Sequence, residues 1–187
     1  MKRSPGVASL PVYVRLLRPG NLLLTALAVL LGAALAMLEG GRIEPGPPLL
    51  AALAAVLIAA GAYALNDAED RTEDAVNRPG RPVPSGLLPE ARARGTGVVL
   101  MLLGVALSLA GGLALAAFAA GAALLLAAYA LFLKGLGAPG NLAVAVCAAA
   151  SFLFGALAAG NLQAAWTPAL LAGPIHLARE WIKDVED

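Results

Sequence analysis

The sequence predicts an all-α fold, a multi-pass transmembrane helical bundle of about six spans. Three observations carry that prediction. Hydrophobic residues make up 60% of the 187 positions and charged residues only 13%, against about 25% charged in a typical soluble domain. Mean hydropathy is +0.81. The charges gather between long uncharged runs, and those runs have the lengths of one or two bilayer crossings. Aromatics are 5%, so the apolar mass is Ala, Leu, Gly and Val, the composition of closely packed membrane helices. This composition excludes a soluble enzyme, a disordered chain and a disulfide scaffold. The lone Cys147 implies no disulfide or metal framework.

A helix crosses the hydrocarbon core with about 20 apolar residues. Residues 22–38 form a first uncharged run of 17, and residues 47–65 a second of 19. Residues 95–133 form an uncharged run of 39, about twice the core thickness at ~1.5 Å per residue. It is expected to fold back once, between Gly111 and Gly121. Residues 135–178 form a run of 44, with Asn161, Gln163 and Pro168 marking its turn. The total is six crossings. With the amino terminus in the cytoplasm, 12 of the 13 basic residues then fall on the cytoplasmic side, only Arg42 outside, as the positive-inside rule requires. Ten of the 12 acidic residues fall there too; only Glu39 and Glu44 do not. Topology does not demand that second asymmetry, so it points to chemistry at one face. The basic leader, with Pro5 and Pro11 in it, is too long for a cleaved signal peptide, and a single domain over 1–187 is expected.

The second span runs into Asn66-Asp67-Ala68-Glu69-Asp70-Arg71-Thr72-Glu73-Asp74. If the helix continues, Asn66, Asp67, Asp70 and Asp74 share one face. Carboxylates gathered on one face repel unless a cation lies among them, and Mg²⁺ takes oxygen ligands with substrate phosphates. A solvated loop, with Arg71 paired to Asp67 or Asp74, is the other reading. Glu69 and Glu73 point elsewhere. The following stretch, residues 77–86, carries Pro79, Pro82 and Pro84 around Arg78 and Arg81. Its stiffness suits it to hold arginines over an anion or simply to anchor the topology. A second charged cluster, Arg179-Glu180-Trp181-Ile182-Lys183-Asp184-Val185-Glu186-Asp187, closes the last span. Two carboxylate banks at one membrane depth could hold metal and diphosphate between them. Lys134, after Tyr129, is a phosphate ligand or a snorkelling anchor. Asn21 and Asn141, at span starts, are caps or substrate contacts, and His176 is a helix-face residue. No catalytic triad, nucleotide loop or zinc spacing is present.

These segments resemble the UbiA-type membrane prenyltransferase family. NDAEDRTED matches the family's N-D-x-x-D-x-x-x-D and continues into NRPGRPVPSG; RPGN, YALFLK, GNLAVAV and REWIKDVED follow the family order. The resemblance implies transfer of an isoprenoid group from a polyprenyl diphosphate to a lipophilic acceptor, with Mg²⁺ as cofactor. It implies Asp67, Asp70, Asp74, Asp184 and Asp187 as catalytic residues, with metal on Asn66, Asp70, Asp74 and Asp187. Asn66, Arg78, Lys134, Lys183, Asn21, Tyr129 and Asn141 are implied as substrate contacts. REWIKDVED together with RPGNLLLTALAVLLG is most similar to the branch that alkylates geranylgeranylglyceryl phosphate in ether-lipid synthesis, with geranylgeranyl diphosphate as donor. An aromatic or tetrapyrrole acceptor of quinone or chlorophyll synthesis stays open. So do a small transporter and a non-catalytic membrane subunit, although uncharged mid-spans favour the enzyme. The expected setting is the cell membrane, with the amino terminus and acidic motifs cytoplasmic. The lipid bilayer is a partner, nucleic acid is not, and the oligomeric state is open. Family members have nine spans, and here the second motif stops short. A bundle lacking one wall and one metal ligand is expected, and these 187 residues alone are not expected to be active.

Overall fold

The structure, a computed structural model, describes residues 9–186, with side chains as far as Ile182. Among these residues the regular secondary structure is all helical, with no strand. The α-helices are α1 (Leu10–Leu17), α2 (Pro19–Leu38), α3 (Gly46–Glu69), α4 (Arg71–Asn77), α5 (Glu90–Ser108), α6 (Leu113–Ala128), α7 (Ala138–Ala158) and α8 (Trp166–Glu186). Proline sits in the first turn of α1, α2, α3 and α7, where the missing N–H has no intrahelical partner to lose. The fold-back within residues 95–133 comes at the early edge of its expected window: a 3₁₀ turn at Leu109–Gly111, then Gly112 at φ +106°.

Five segments are long and apolar enough to cross a membrane: Pro19–Leu38, Gly46–Glu69, Glu90–Gly111, Leu113–Leu136 and Ala138–Ala158. This is a multi-pass membrane protein. The sixth expected crossing corresponds to α8, which falls short of that measure. Pro174 lies inside it, and charge begins at Arg179.

The helices touch through glycine. α3 meets α5 where a Cβ on Gly61 would come within 2.5 Å of the Gly97 carbonyl oxygen, and one on Gly97 within 2.8 Å of the Gly61 oxygen. α2 meets α7 just as closely: a Cβ on Gly155 would lie 1.8 Å from the Val29 oxygen. Hydrocarbon solvent gives helices no hydrophobic reason to associate, so van der Waals contact between bare backbones supplies the attraction. The wide outer faces, with Leu23, Leu24, Leu27 and Leu31 on α2 and Val98, Val99, Leu102 and Leu103 on α5, are exposed and suited to lipid.

The bundle has two unlike ends. At one, Asn161 donates to the Glu39 carbonyl (2.9 Å) and the Arg42 amide to the Ala159 carbonyl (2.8 Å), joining the α2–α3 turn to the α7–α8 turn. The other carries most of the charges. There α1 lies against the bundle, with Val12 and Leu16 packed on Ala64, Ala68, Val83, Leu88 and Ala93. This seam ties α1 and the proline-rich loop to α3 and α5.

Candidate active site

The carboxylates come from the end of α3. The helix does not continue unbroken through the acidic segment: it stops at Asp70 (φ −79°, ψ 5°) and restarts as α4. The break leaves the expected face intact. Asp67, Asp70 and Asp74 are 1%, 7% and 4% exposed, while Glu69 and Glu73 face outward. Asn66 donates from Nδ2 to Asp70 Oδ2. Its Oδ1 is buried and has no hydrogen-bond partner among the described residues.

Three cations hold the three acids. Arg18 donates to Asp67 Oδ1. Arg81 pairs with Asp74, lies 3.3 Å from Asp67 Oδ1 and reaches Asp70 at 4.0 Å. Lys134 Nζ lies 2.6 Å from Asp70 Oδ1 and 3.5 Å from Glu73 Oε2. Burying a carboxylate at the end of an apolar bundle is costly unless a charge and hydrogen bonds offset it, and each of these acids has both. Arg71 pairs with Glu90 at 3.4 Å rather than with Asp67 or Asp74. The helix break turns it outward.

Irregular backbone delivers two of the cations. Arg18 joins α1 to α2 at φ +55°, the only non-glycine residue at positive φ among those described. Pro19 disfavours the right-handed helical region for the residue before it, and the left-handed one costs about 1–2 kcal/mol. The Asp67 contact and the ring of Tyr63, 5.0 Å from the guanidinium carbon, hold Arg18 there. Lys134 follows a π-helical turn, Tyr129–Leu133, a distortion frequent at functional sites.

The other expected site residues fall as follows. Arg78 lines a cavity of about 380 Å³ with Arg15, Gly80, Arg81 and Pro82. Tyr129, half-buried, opens the π-helical turn. Neither asparagine caps a helix: Asn21 hydrogen-bonds the Tyr63 side chain, and Asn141 is buried in the first turns of α7. His176 bonds the Ala172 carbonyl along its own helix. The side chains of Lys183, Asp184 and Asp187 lie outside the described residues. The preceding stretch of α8 reaches the same end, since Arg179 is close enough to act electrostatically on Tyr63. Among the described residues, no three His, Cys, Asp or Glu side chains converge as metal ligands; the Arg and Lys side chains stand between the acids.

Reading the sequence for a site missed Arg18 and Tyr63 and preferred Arg78 to Arg81. The Arg-Pro pair occurs twice in five residues, at 78–79 and 81–82, and only the turn decides which arginine faces inward.

The sequence model of the UbiA prenyltransferase family matches residues 22–187. The chain belongs to that family. This UbiA chain is 40% identical over 185 residues to a digeranylgeranylglyceryl phosphate synthase of Ignicoccus hospitalis, covering 95% of itself and 59% of that protein. It is 36% identical to the digeranylgeranylglyceryl phosphate synthase of Hyperthermus butylicus, covering 93% and 61%. A solved structure described as giving insight into digeranylgeranylglyceryl phosphate synthase in membranes superposes with a TM-score of 0.78 at 27% identity, covering 92% of this chain and 60% of that one. The chain thus spans about three fifths of the length of these relatives.

Proposed function

We propose that this chain forms the diphosphate-binding part of an intramembrane prenyltransferase, a single domain that transfers a geranylgeranyl group to geranylgeranylglyceryl phosphate in ether-lipid synthesis. The observation that carries this reading is the buried Asp67, Asp70 and Asp74 cluster, clamped by Arg18, Arg81 and Lys134 where the apolar bundle ends. The names of the relatives support the substrates.

The donor types are those Mg²⁺ takes: carboxylate oxygens and Asn66 Oδ1, which has no hydrogen-bond partner among the described residues, are all hard ligands. Asn66, Asp70 and Asp74 would hold it, with Asp187 from the second motif. When bound, it supplies positive charge to a departing diphosphate. Arg81, Lys134 and Arg18, which now neutralise the acids, supply N–H donors for the diphosphate oxygens. As charge grows on the leaving group, fixed donors stabilise it without reorganising. The allylic carbon–oxygen bond breaks with its electron pair going to the diphosphate. The acceptor hydroxyl oxygen forms the new ether bond, and its proton passes to the released diphosphate. Ala- and Leu-rich helices keep water from the allylic cation. The setting is the cell membrane, with the charged end cytoplasmic, as the partition of basic residues supports.

The test is transfer in detergent with Mg²⁺ and geranylgeranyl diphosphate against a panel of acceptors, using this chain and the same sequence carried in a full-length relative. Asp70→Asn and Asp74→Asn should each lower turnover at least about 100-fold with membrane insertion intact. Wild-type turnover in either variant would sink the reading. Preferential use of an aromatic acceptor would replace the substrate while keeping the chemistry.

A further inference from the structure

The cavity between α1 and the proline-rich loop is not explained by the carboxylate site. Its walls are Arg15, Arg78, Gly80, Arg81 and Pro82, with no acid among them. Arg81 is the shared wall. Its guanidinium serves Asp67 and Asp74 on one side and closes the cavity on the other, so its charge is already answered. Arg15 is different. It donates to the Gly80 carbonyl at 2.9 Å, and among the described residues it has no carboxylate partner. That bond hooks the loop onto α1, and Pro79 and Pro82 stiffen the loop on either side of Gly80. The result is an open cationic recess framed by stiff backbone.

Its depth is equally specific. Val12 and Leu16 of α1 are buried, while Leu10 and Val14 remain exposed. A short helix with apolar residues on its outer side, at the end of a membrane bundle, is suited to the interface. The recess beside it would then be level with lipid headgroups. A phosphate brought there by a lipid would be separated from a diphosphate at the acidic cluster by Arg81, which screens the repulsion between the two anions.

We infer that this recess is a second anion site, which takes the phosphomonoester headgroup of a lipid and so seats the acceptor. The inference rests on the proposed reaction for the identity of that lipid, because the relatives' product carries a phosphate. The site itself rests on the recess. It makes Arg15 a specificity residue: the guanidinium fork pairs with phosphate oxygens and distinguishes a phosphorylated acceptor from a neutral one.

The experiment measures binding to the 187-residue chain in detergent micelles. The probes are dioleoyl phosphatidate, neutral dioleoylglycerol, inorganic phosphate and geranylgeranyl diphosphate with Mg²⁺. Phosphatidate should bind more tightly than dioleoylglycerol or inorganic phosphate. Arg15→Gln should weaken phosphatidate about tenfold, the loss of one charge-assisted contact, and leave geranylgeranyl diphosphate binding unchanged. Arg15→Lys should restore part of the loss, which separates charge recognition from damage to the loop. Four results overturn the inference. They are no phosphatidate binding, equal affinity in Arg15→Gln, equal affinity for inorganic phosphate and phosphatidate, and parallel loss of phosphatidate and diphosphate. Arg15-dependent phosphatidate binding in a chain that ignores geranylgeranyl diphosphate would keep the anion site and remove the proposed reaction.

Discussion

The two ends of the bundle are built on different terms. At the end without the acidic cluster, turns are made by glycines at positive φ, Gly40, Gly112 and Gly160, and neighbours are joined by hydrogen bonds to main-chain carbonyls. Little there depends on charge. At the other end, a left-handed arginine, a broken helix at Asp70 and a π-helical turn before Lys134 bring three cations onto three buried acids. Regular helix would be cheaper, and these interruptions place charged side chains where the proposed chemistry lies. Backbone proximity thus holds the helices together in both halves, and charge balance governs stability at the acidic end alone.

The comparison is broken most severely by Gly155→Val. The new Cβ would meet the Val29 carbonyl oxygen at 1.8 Å, a main-chain atom that cannot rotate away. A loss of about 3 kcal/mol or more is expected, read as a collapse of the thermal transition in detergent. Arg81→Ala comes next. It strips the shared partner from Asp67 and Asp74, and truncating one member of a buried ion pair costs about 3 kcal/mol, reduced here because Arg81 keeps some exposure. Adding Asp67→Asn should recover part of that loss, since one buried charge goes with its partner. An additive double mutant would refute charge balance as the rule at this end. The smallest effect belongs to Asn161→Ala, which removes one bond to the Glu39 carbonyl and should cost about 1 kcal/mol. Its thermal midpoint should not respond to salt, and a strong salt response would erase the contrast.

Much of this plan was legible in the linear sequence. Uncharged runs of span length placed α2, α3, α5, α6 and α7, because in a bilayer length and polarity alone decide what crosses. The periodicity of Asn66, Asp67, Asp70 and Asp74 located the inward face, and it survived a helix break that periodicity cannot foresee. The cations were harder. Arg18 and Asp67 are 49 residues apart, and their pairing depends on how α1 turns into α2. Arg81 and Arg78 sit in near-identical local sequences. Side-chain choice in such a loop is settled by the path of the chain, which short-range pattern does not encode.

The link between Arg18 and Asp67 has a consequence for biogenesis. Of the three cations that answer the acids, Arg18 alone precedes them in the chain; Arg81 and Lys134 are made later. When the α3 segment leaves the ribosome and docks beside α2, Arg18 is the one of the three that has already emerged. Early assembly of this helical hairpin therefore hinges on a residue outside the acidic motif, and losing it would delay closure until Arg81 emerged from the ribosome.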